Sequence, residues 1–333
     1  MKQHPGTVHH VTAADRGQTL AAFLRPRLGN ASWSRVQKLV RSRHVLIHGN
    51  ICTDIARRLK EGEVVKVLDV AAAPLPKADD VRIVHVDADV VVVDKPTGLT
   101  TTRHHEEASW PAKRRQLQPT LEELVPDAIG RFLASRGIDG PRPSKKTRIP
   151  PVKAVHRIDR ETSGLVVFAR NVPASRILAE QFRLHTTHRR YLALVVGRVG
   201  AGMIRSHLLR DRGDGRRGSN DSDDGKLAIT HVAPVEHFGD AYTLVECRLE
   251  TGRTHQIRIH MAETGHPVCG ERVYSAPRKF EVKDESRAPR VMLHAAELGF
   301  VHPVSGEELR FTSPLPADIR KVLAALRKAY PNP

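Results

Sequence analysis

Leu20, Phe23 and Leu24 recur at helical spacing early in the chain, and Val36, Leu39 and Val40 repeat the pattern. Two short amphipathic helices are expected there. Ser32 or Ser34 offers a hydroxyl cap for the second, which sets Arg35, Lys38 and Arg41 along its exposed side. HVLIHGN then reads as a strand entering a turn at Gly49–Asn50, and EGEVVKVLD as a second strand. The Ala/Pro stretch AAAPLPKADD, Ala71 to Asp80, interrupts the pattern as a linker. The expected boundaries are a small domain over 1–72, a linker over 73–80 and a larger domain over 81–333.

The larger domain opens with an unbroken apolar run, Val90 to Val93, which reads as a buried strand ending in the turn Lys95–Pro96–Thr97–Gly98. Residues 101–153 are polar, basic and Pro-containing, with a helix expected in TLEELVPDAIGRFLAS. GLVVFAR, SRILAEQFR and RYLALVVGRV alternate strand, helix and strand. Asp211 to Gly225 reads as a long surface loop. TLVECRLE, QIRIHMAETG and ELRFTS read as further strands, and IRKVLAALRKAY closes the chain as a basic amphipathic helix. Strands and helices without regular βαβ spacing place the chain in the α+β class, not among doubly wound folds.

Composition adds a partner. The 333 residues are 40% hydrophobic and 27% charged, ordinary for a globular protein, and wholesale disorder is excluded. The charge is not ordinary: 54 Lys and Arg against 37 Asp and Glu leave +17. The first 70 residues hold 12 basic and 5 acidic residues, hence +7. That excess points to a polyanion, nucleic acid before anionic membrane. No apolar run approaches the ~18 residues of a membrane span, so no membrane partner is expected. The three cysteines, Cys52, Cys247 and Cys269, are odd in number and lack a Cys-x-x-Cys pair. They argue against a disulfide framework and a thiolate zinc site, and suit the cytoplasm.

Two segments could carry chemistry. In AVHRIDRETSGLVVFAR, Asp159 stands between Arg157 and Arg160, with His156 and Glu161 nearby. Neighbouring cations favour a carboxylate's charged form, which suits a nucleophile or charge stabiliser better than a general acid. An Asp among arginines is also the ordinary pattern of a surface ion-pair network, and the local sequence does not choose. In ETGRTHQIRIHMAETGHPVCGERVY, the residues Arg253, His255, Gln256 and Arg258 crowd a short stretch. On a strand, Ile257 and Ile259 would share one face and Arg258 the other, from which it could pair with a carboxylate; plain sheet alternation explains the pattern equally well.

LAAFLRPRLGNASWSRVQKLVRSRHVLIHGNICTDIARRLKEGEVVKV resembles the αL-type RNA-binding domain named from ribosomal small-subunit proteins, over about 55 residues. DKPTGLTT, HRIDRETSGLVV, RYLALVVG, TGRTHQIRIHMAETGHPVCGERVY and MLHAAELGFVHP fall in the order and spacing of the RluA-type pseudouridine synthases, from Val81 to about Ala325. The resemblance implies an isomerase that converts selected uridines in RNA to pseudouridine, on a long, mostly antiparallel mixed sheet with flanking helices. It aligns the family's catalytic aspartate with Asp159, its active-site tyrosine with Tyr191 and the basic partner of the aspartate with Arg258. Arg157 matches the arginine that engages RNA around the extruded nucleotide. His156, Lys95, Arg253, His255 and Gln256, with Arg35 and Lys38 in the small domain, complete the expected RNA-binding set.

Breaking the ribose–N1 bond of uridine, turning the base and rejoining it through C5 requires the base to leave its stack, at a cost of a few kcal/mol. A carboxylate can attack the sugar or the base, or assist elimination; a tyrosine can stack on uracil and help take the C5 proton. No cofactor and no metal is implied. Ribosomal RNA of the large subunit is the first expected partner and transfer RNA the second, with the protein acting as a monomer. The 101–153 and 211–225 segments depart from the family's pattern where RNA contact is plausible. Zinc at His185/His188 or His255/His260 lacks a completing ligand set. A glycosidase pair of Asp159 and Glu161 does not suit so basic a chain. A non-catalytic RNA-binding or ribosome-assembly protein would have no reason to keep Asp159, Tyr191 and Arg258 together.

Overall fold

In the computed structural model the chain divides into two compact units, Met1–Leu75 with Glu107–Gln118, and Pro76–Glu106 with Pro119–Pro333. The structure describes residues 6–47, 50–72, 74, 76–103, 107, 109, 115, 118–137, 149–210, 217–219, 224–274 and 283–331. Gly49 of the expected turn and parts of the 101–153 and 211–225 segments lie outside the described residues.

In the first unit, strand β1 (Gly6–His10) precedes helices α1 (Leu20–Arg27) and α2 (Trp33–Arg41), followed by β2 (Val45–Ile47), β3 (Asn50–Ile51) and β4 (Val64–Leu68). The Thr19 hydroxyl accepts the Ala22 N–H and starts α1; Ser32, the first of the two candidate serines, accepts the Arg35 N–H and starts α2. The strands form an antiparallel sheet in the order β1-β4-β2-β3. Leu20, Phe23 and Leu24 meet Val36, Val40, Val45 and Val65 in a fully buried core. Burying each such side chain stabilises by roughly 1.5–3 kcal/mol. The opposite face of α2 leaves Arg35, Lys38 and Arg41 exposed.

The second unit is α+β. Its strands are β5 (Arg82–Val86), β6 (Val90–Lys95), β7 (Lys153–Ala154), β8 (Ser163–Ala169), β9 (His188–Val196), β10 (Gly202–Leu209), β11 (Gly218–Ser219), β12 (Lys226–Phe238), β13 (Tyr242–Leu249), β14 (Leu293–Val301) and β15 (Glu308–Thr312). Its helices are α3 (Leu121–Ser135), α4 (Val172–Arg183), α5 (Gln256–Glu263) and α6 (Ala317–Ala329). The strands join one long sheet, β11-β10-β12-β13-β9-β14-β8-β6-β5, with β15 on β14 and β7 on β8. Among the described residues only β8 and β14 run parallel, pairing Ser163 with His294 and Gly164 with Ala295. Gly164 has φ +114°, and a Cβ there would stand 2.2 Å from the Ala295 carbonyl oxygen, so this crossing requires glycine.

The apolar run Val90–Val93 is wholly buried because both faces of β6 are covered. Val91 and Val93 share a core with Val166, Phe168, Leu121 and Ile129 of α3, whereas Val90 and Val92 pack with Leu165, Val167 and Leu178 and Phe182 of α4.

QIRIHMAETG is a helix, not the strand expected from its alternating isoleucines. His255 precedes α5 at φ +60°, and the seven residues Gln256–Ala262 are all buried. A helix covered on every side carries no polar stripe, so its 3.6-residue period vanishes and the Ile-x-Ile pattern imitates a strand.

Candidate active site

Asp159 lies in the segment between β7 and β8, and the DKPTGLTT turn binds the residues on either side of it. The Gly98 N–H donates to the Arg160 carbonyl at 2.7 Å, the Thr97 hydroxyl to the Glu161 carbonyl at 2.9 Å and the Thr101 hydroxyl to the Ile158 carbonyl at 2.7 Å. The Lys95 ammonium, fully buried, donates to the carbonyls of Leu99 at 2.8 Å, Pro96 at 3.0 Å and Arg160 at 3.2 Å. Three acceptors match its three N–H donors, while burial pulls its pKa down to about 7 against the attraction of Asp159. Lys95 was expected to touch RNA; the structure corrects this, because an amine with no exposure and three internal acceptors is a strut beneath the aspartate.

Arg258, on the first turn of α5, reaches the same aspartate. Its NH1 stands 3.8 Å from Asp159 Oδ2, and its Nε and NH2 donate to Glu271 at 2.6 and 2.7 Å. Burial opposes the guanidinium's charge, but the Glu271 carboxylate outweighs it and holds Arg258 firmly protonated. Burial likewise works against Glu271, and its bonds to Arg258 bring its pKa below the usual carboxylate range. Glu271 therefore orients the arginine so that one edge faces Asp159. His255 Nε2 lies 3.7 Å from Asp159 Oδ1, and its Nδ1 meets the Tyr274 hydroxyl at 2.6 Å. Burial lowers the His255 pKa, so the ring is neutral near pH 7.

These groups open on a cavity of about 470 Å³, within the range of ~300–1,000 Å³ typical of small-ligand sites. Asp159, Tyr191, Arg258, Arg157, His156, Arg253, His255 and Gln256 all line it, so the two sequence clusters, nearly a hundred residues apart, meet in one place. Asp159 is the single carboxylate of the lining among the described residues, facing Arg157, Arg183, Arg189, Arg253 and Arg258. Tyr191, on β9, is 9% exposed, and burial raises its phenol pKa, partly offset by Arg189. The phenol is thus protonated at neutral pH.

One further expectation of RNA contact is corrected. Gln256 spends its amide internally: Oε1 accepts from the Thr251 hydroxyl and the Arg253 N–H, and Nε2 donates to the Ile229 carbonyl and Thr230 Oγ1. It shapes the turn into α5. The His156 ring stacks on Phe182 at 4.2 Å and its Nε2 accepts the Val167 N–H; burial takes its pKa to about 3, so it brings a flat neutral wall and no cation. Arg35 and Lys38 belong to the other compact unit. The histidine pairs considered for zinc are committed elsewhere: His188 to Glu297, His255 to Tyr274, and both nitrogens of His260 to Thr230 and Ser206.

Sequence reasoning missed Arg189, Glu271 and Tyr274, and weighed His185 only as a zinc ligand. Arg189 was within reach of strand periodicity, because it lies two residues before Tyr191 and so shares its face of β9. Glu271 carried no comparable signal, since nothing local ties it to Arg258.

Residues 89–263 match the family model described as RNA pseudouridylate synthase. The ribosomal large subunit pseudouridine synthase D of Xanthomonas campestris is 33% identical over 322 residues, 94% of this chain and 90% of that protein. An uncharacterized RNA pseudouridine synthase, YlyB, of Bacillus subtilis is 33% identical over 96% of this chain and 98% of its own length. Among solved structures, the human RNA pseudouridylate synthase domain containing 4 superimposes with a TM-score of 0.55 at 23% identity, covering 74% of this chain and 93% of that one, a likeness of fold. With the aspartate, tyrosine and arginine of its motifs gathered at one cavity, the chain belongs to the RNA pseudouridylate synthase family, in its RluA-type branch.

Proposed function

We propose that this pseudouridine synthase isomerises uridines of large-subunit ribosomal RNA in the cytoplasm, as a monomer, with Asp159 as the carboxylate that acts at the ribose–uracil bond. The observation that carries this reading is the placement of Asp159 as the one carboxylate of the described cavity lining, 3.8 Å from an arginine that Glu271 already holds. Attack on the sugar, attack on the base and assisted elimination all need a carboxylate beside the extruded uridine, and this position serves each.

Arg258 steadies the aspartate without neutralising it by a tight pair, since its short bonds go to Glu271. Tyr191 offers its ring to the uracil. Its protonated phenol accepts a proton from C5 only by passing its own onward. Arg157, exposed at the cavity rim, engages the RNA backbone around the extruded nucleotide. The small unit adds affinity through Arg35 and Lys38 on α2. The relatives named for the ribosomal large subunit support ribosomal RNA as the substrate.

The test is pseudouridine mapping of total RNA from cells with and without an intact copy of the gene. Sites in large-subunit ribosomal RNA should be lost with the gene and return with the wild type but not with Asp159→Asn. Loss confined to transfer RNA would overturn the substrate assignment. Purified protein unable to form pseudouridine in any of these RNAs would return the chain to a purely RNA-binding role.

A further inference from the structure

We infer that Arg189, with Arg253 beside it, forms a phosphate subsite in the cavity that takes the phosphodiester of the target nucleotide; this rests on the proposed RNA substrate. Among the described residues, positive charge in this part of the cavity is not matched by carboxylates. Of the five arginines in the lining, Arg183 is paired with Glu180, and Arg258 with Glu271 and Asp159. Arg189 is 9% exposed, its Nε has no hydrogen-bond partner among the described residues, and its NH2 has one long bond of 3.5 Å to the Leu249 carbonyl. Arg253 donates its Nε to the Leu227 carbonyl at 2.9 Å. Neither has a carboxylate partner among the described residues. A guanidinium so buried is stable only when an anion or several acceptors answer it.

The two charges share a corner. His185 lines the same cavity as both, and its pKa is lowered by burial and then by the charges of Arg189 and Arg253. The wall is also cut to fit: a Cβ on Gly252 would stand 2.8 Å from Arg189 NH1, so the missing side chain leaves that end of the guanidinium its space. Arg189 and Tyr191 project from the same face of β9, two residues apart, about 7 Å along a strand. A uracil resting on Tyr191 therefore leaves its nucleotide's own phosphate within reach of Arg189. A phosphodiester is monoanionic and presents two unesterified oxygens, which accept a guanidinium fork's paired N–H donors.

The experiment replaces, one at a time, the phosphodiesters flanking the target uridine of a synthetic RNA with uncharged methylphosphonate and measures single-turnover pseudouridine formation by wild type and Arg189→Gln. With the wild type, one position should lower kcat/KM by about 10- to 100-fold, the size of a charged hydrogen bond. With Arg189→Gln the same loss should already be present on unmodified RNA, and methylphosphonate at that position should add little. Arg189→Lys, which keeps charge but not the fork, should fall between. If Arg189→Gln does not fold, Gly252→Ala displaces the guanidinium and should reproduce its loss. Independent, multiplying losses from Arg189→Gln and from every methylphosphonate would overturn the subsite. Wild-type inactivity on unmodified RNA would instead overturn the substrate reading beneath it.

Discussion

Glu271 grips Arg258 at 2.6 Å while Asp159 stands off from the same guanidinium at 3.8 Å. One arginine thus serves two carboxylates unequally: the deeper one fixes it, and the other faces the cavity without a tight pair. The arrangement makes Glu271 as consequential as the residues that face the cavity.

Glu271→Gln should leave the buried Arg258 charge without its main partner. Removing one member of such a pair costs about 3–5 kcal/mol. Denaturant unfolding should show that loss, and the surviving folded fraction should turn over RNA more slowly because Arg258 is no longer held in place. Unchanged stability would mean that the pair contributes nothing to the fold.

Lys95 gives a pH signature. Its folded-state pKa of about 7 lies below the ordinary 10.5, so between those values the unfolded chain binds the additional proton. Stability contributed at this position therefore rises as pH climbs from about 7 towards 10.5, and is flat below 7, where both states are protonated. The stability difference between wild type and Lys95→Met should shift in favour of the wild type across that window, by at most about 1.4 kcal/mol per pH unit. A difference independent of pH would show that Lys95 titrates alike in both states.

The double substitution Arg35→Gln with Lys38→Gln should weaken RNA binding and make it less sensitive to salt. Each phosphate no longer neutralised lowers the slope of log affinity against log salt by about 0.7–0.9. The single-turnover rate at saturating RNA should stay the same. An unaltered slope would remove α2 from the RNA-binding surface.

Much of this fold is legible in the sequence because its signals are local. Leu20 with Phe23, and Val36 with Val40, mark helices by spacing alone, and Ser32 and Ser34 mark the start of α2, where the fold uses Ser32. Val90–Val93 announces a strand covered on both sides. What the sequence hides is three-dimensional. Lys95 reads as a basic residue beside a turn, and only the fold shows three carbonyls closing over it. Gln256 reads as a polar contact residue until its four hydrogen bonds are seen to point inward. The sheet order that sets β8 parallel to β14 has no local signature, and the two motifs meet only through that order.

The proposed reaction requires the Asp159 carboxylate to perform the chemistry while contributing little to RNA affinity. Both halves are read together from pseudouridine formation by purified wild type and Asp159→Asn on large-subunit ribosomal RNA, with RNA affinity measured on the same preparations. Asp159→Asn should give no product and an affinity within about threefold of wild type, since one anion is changed in a large basic surface. Turnover by Asp159→Asn would contradict the assignment.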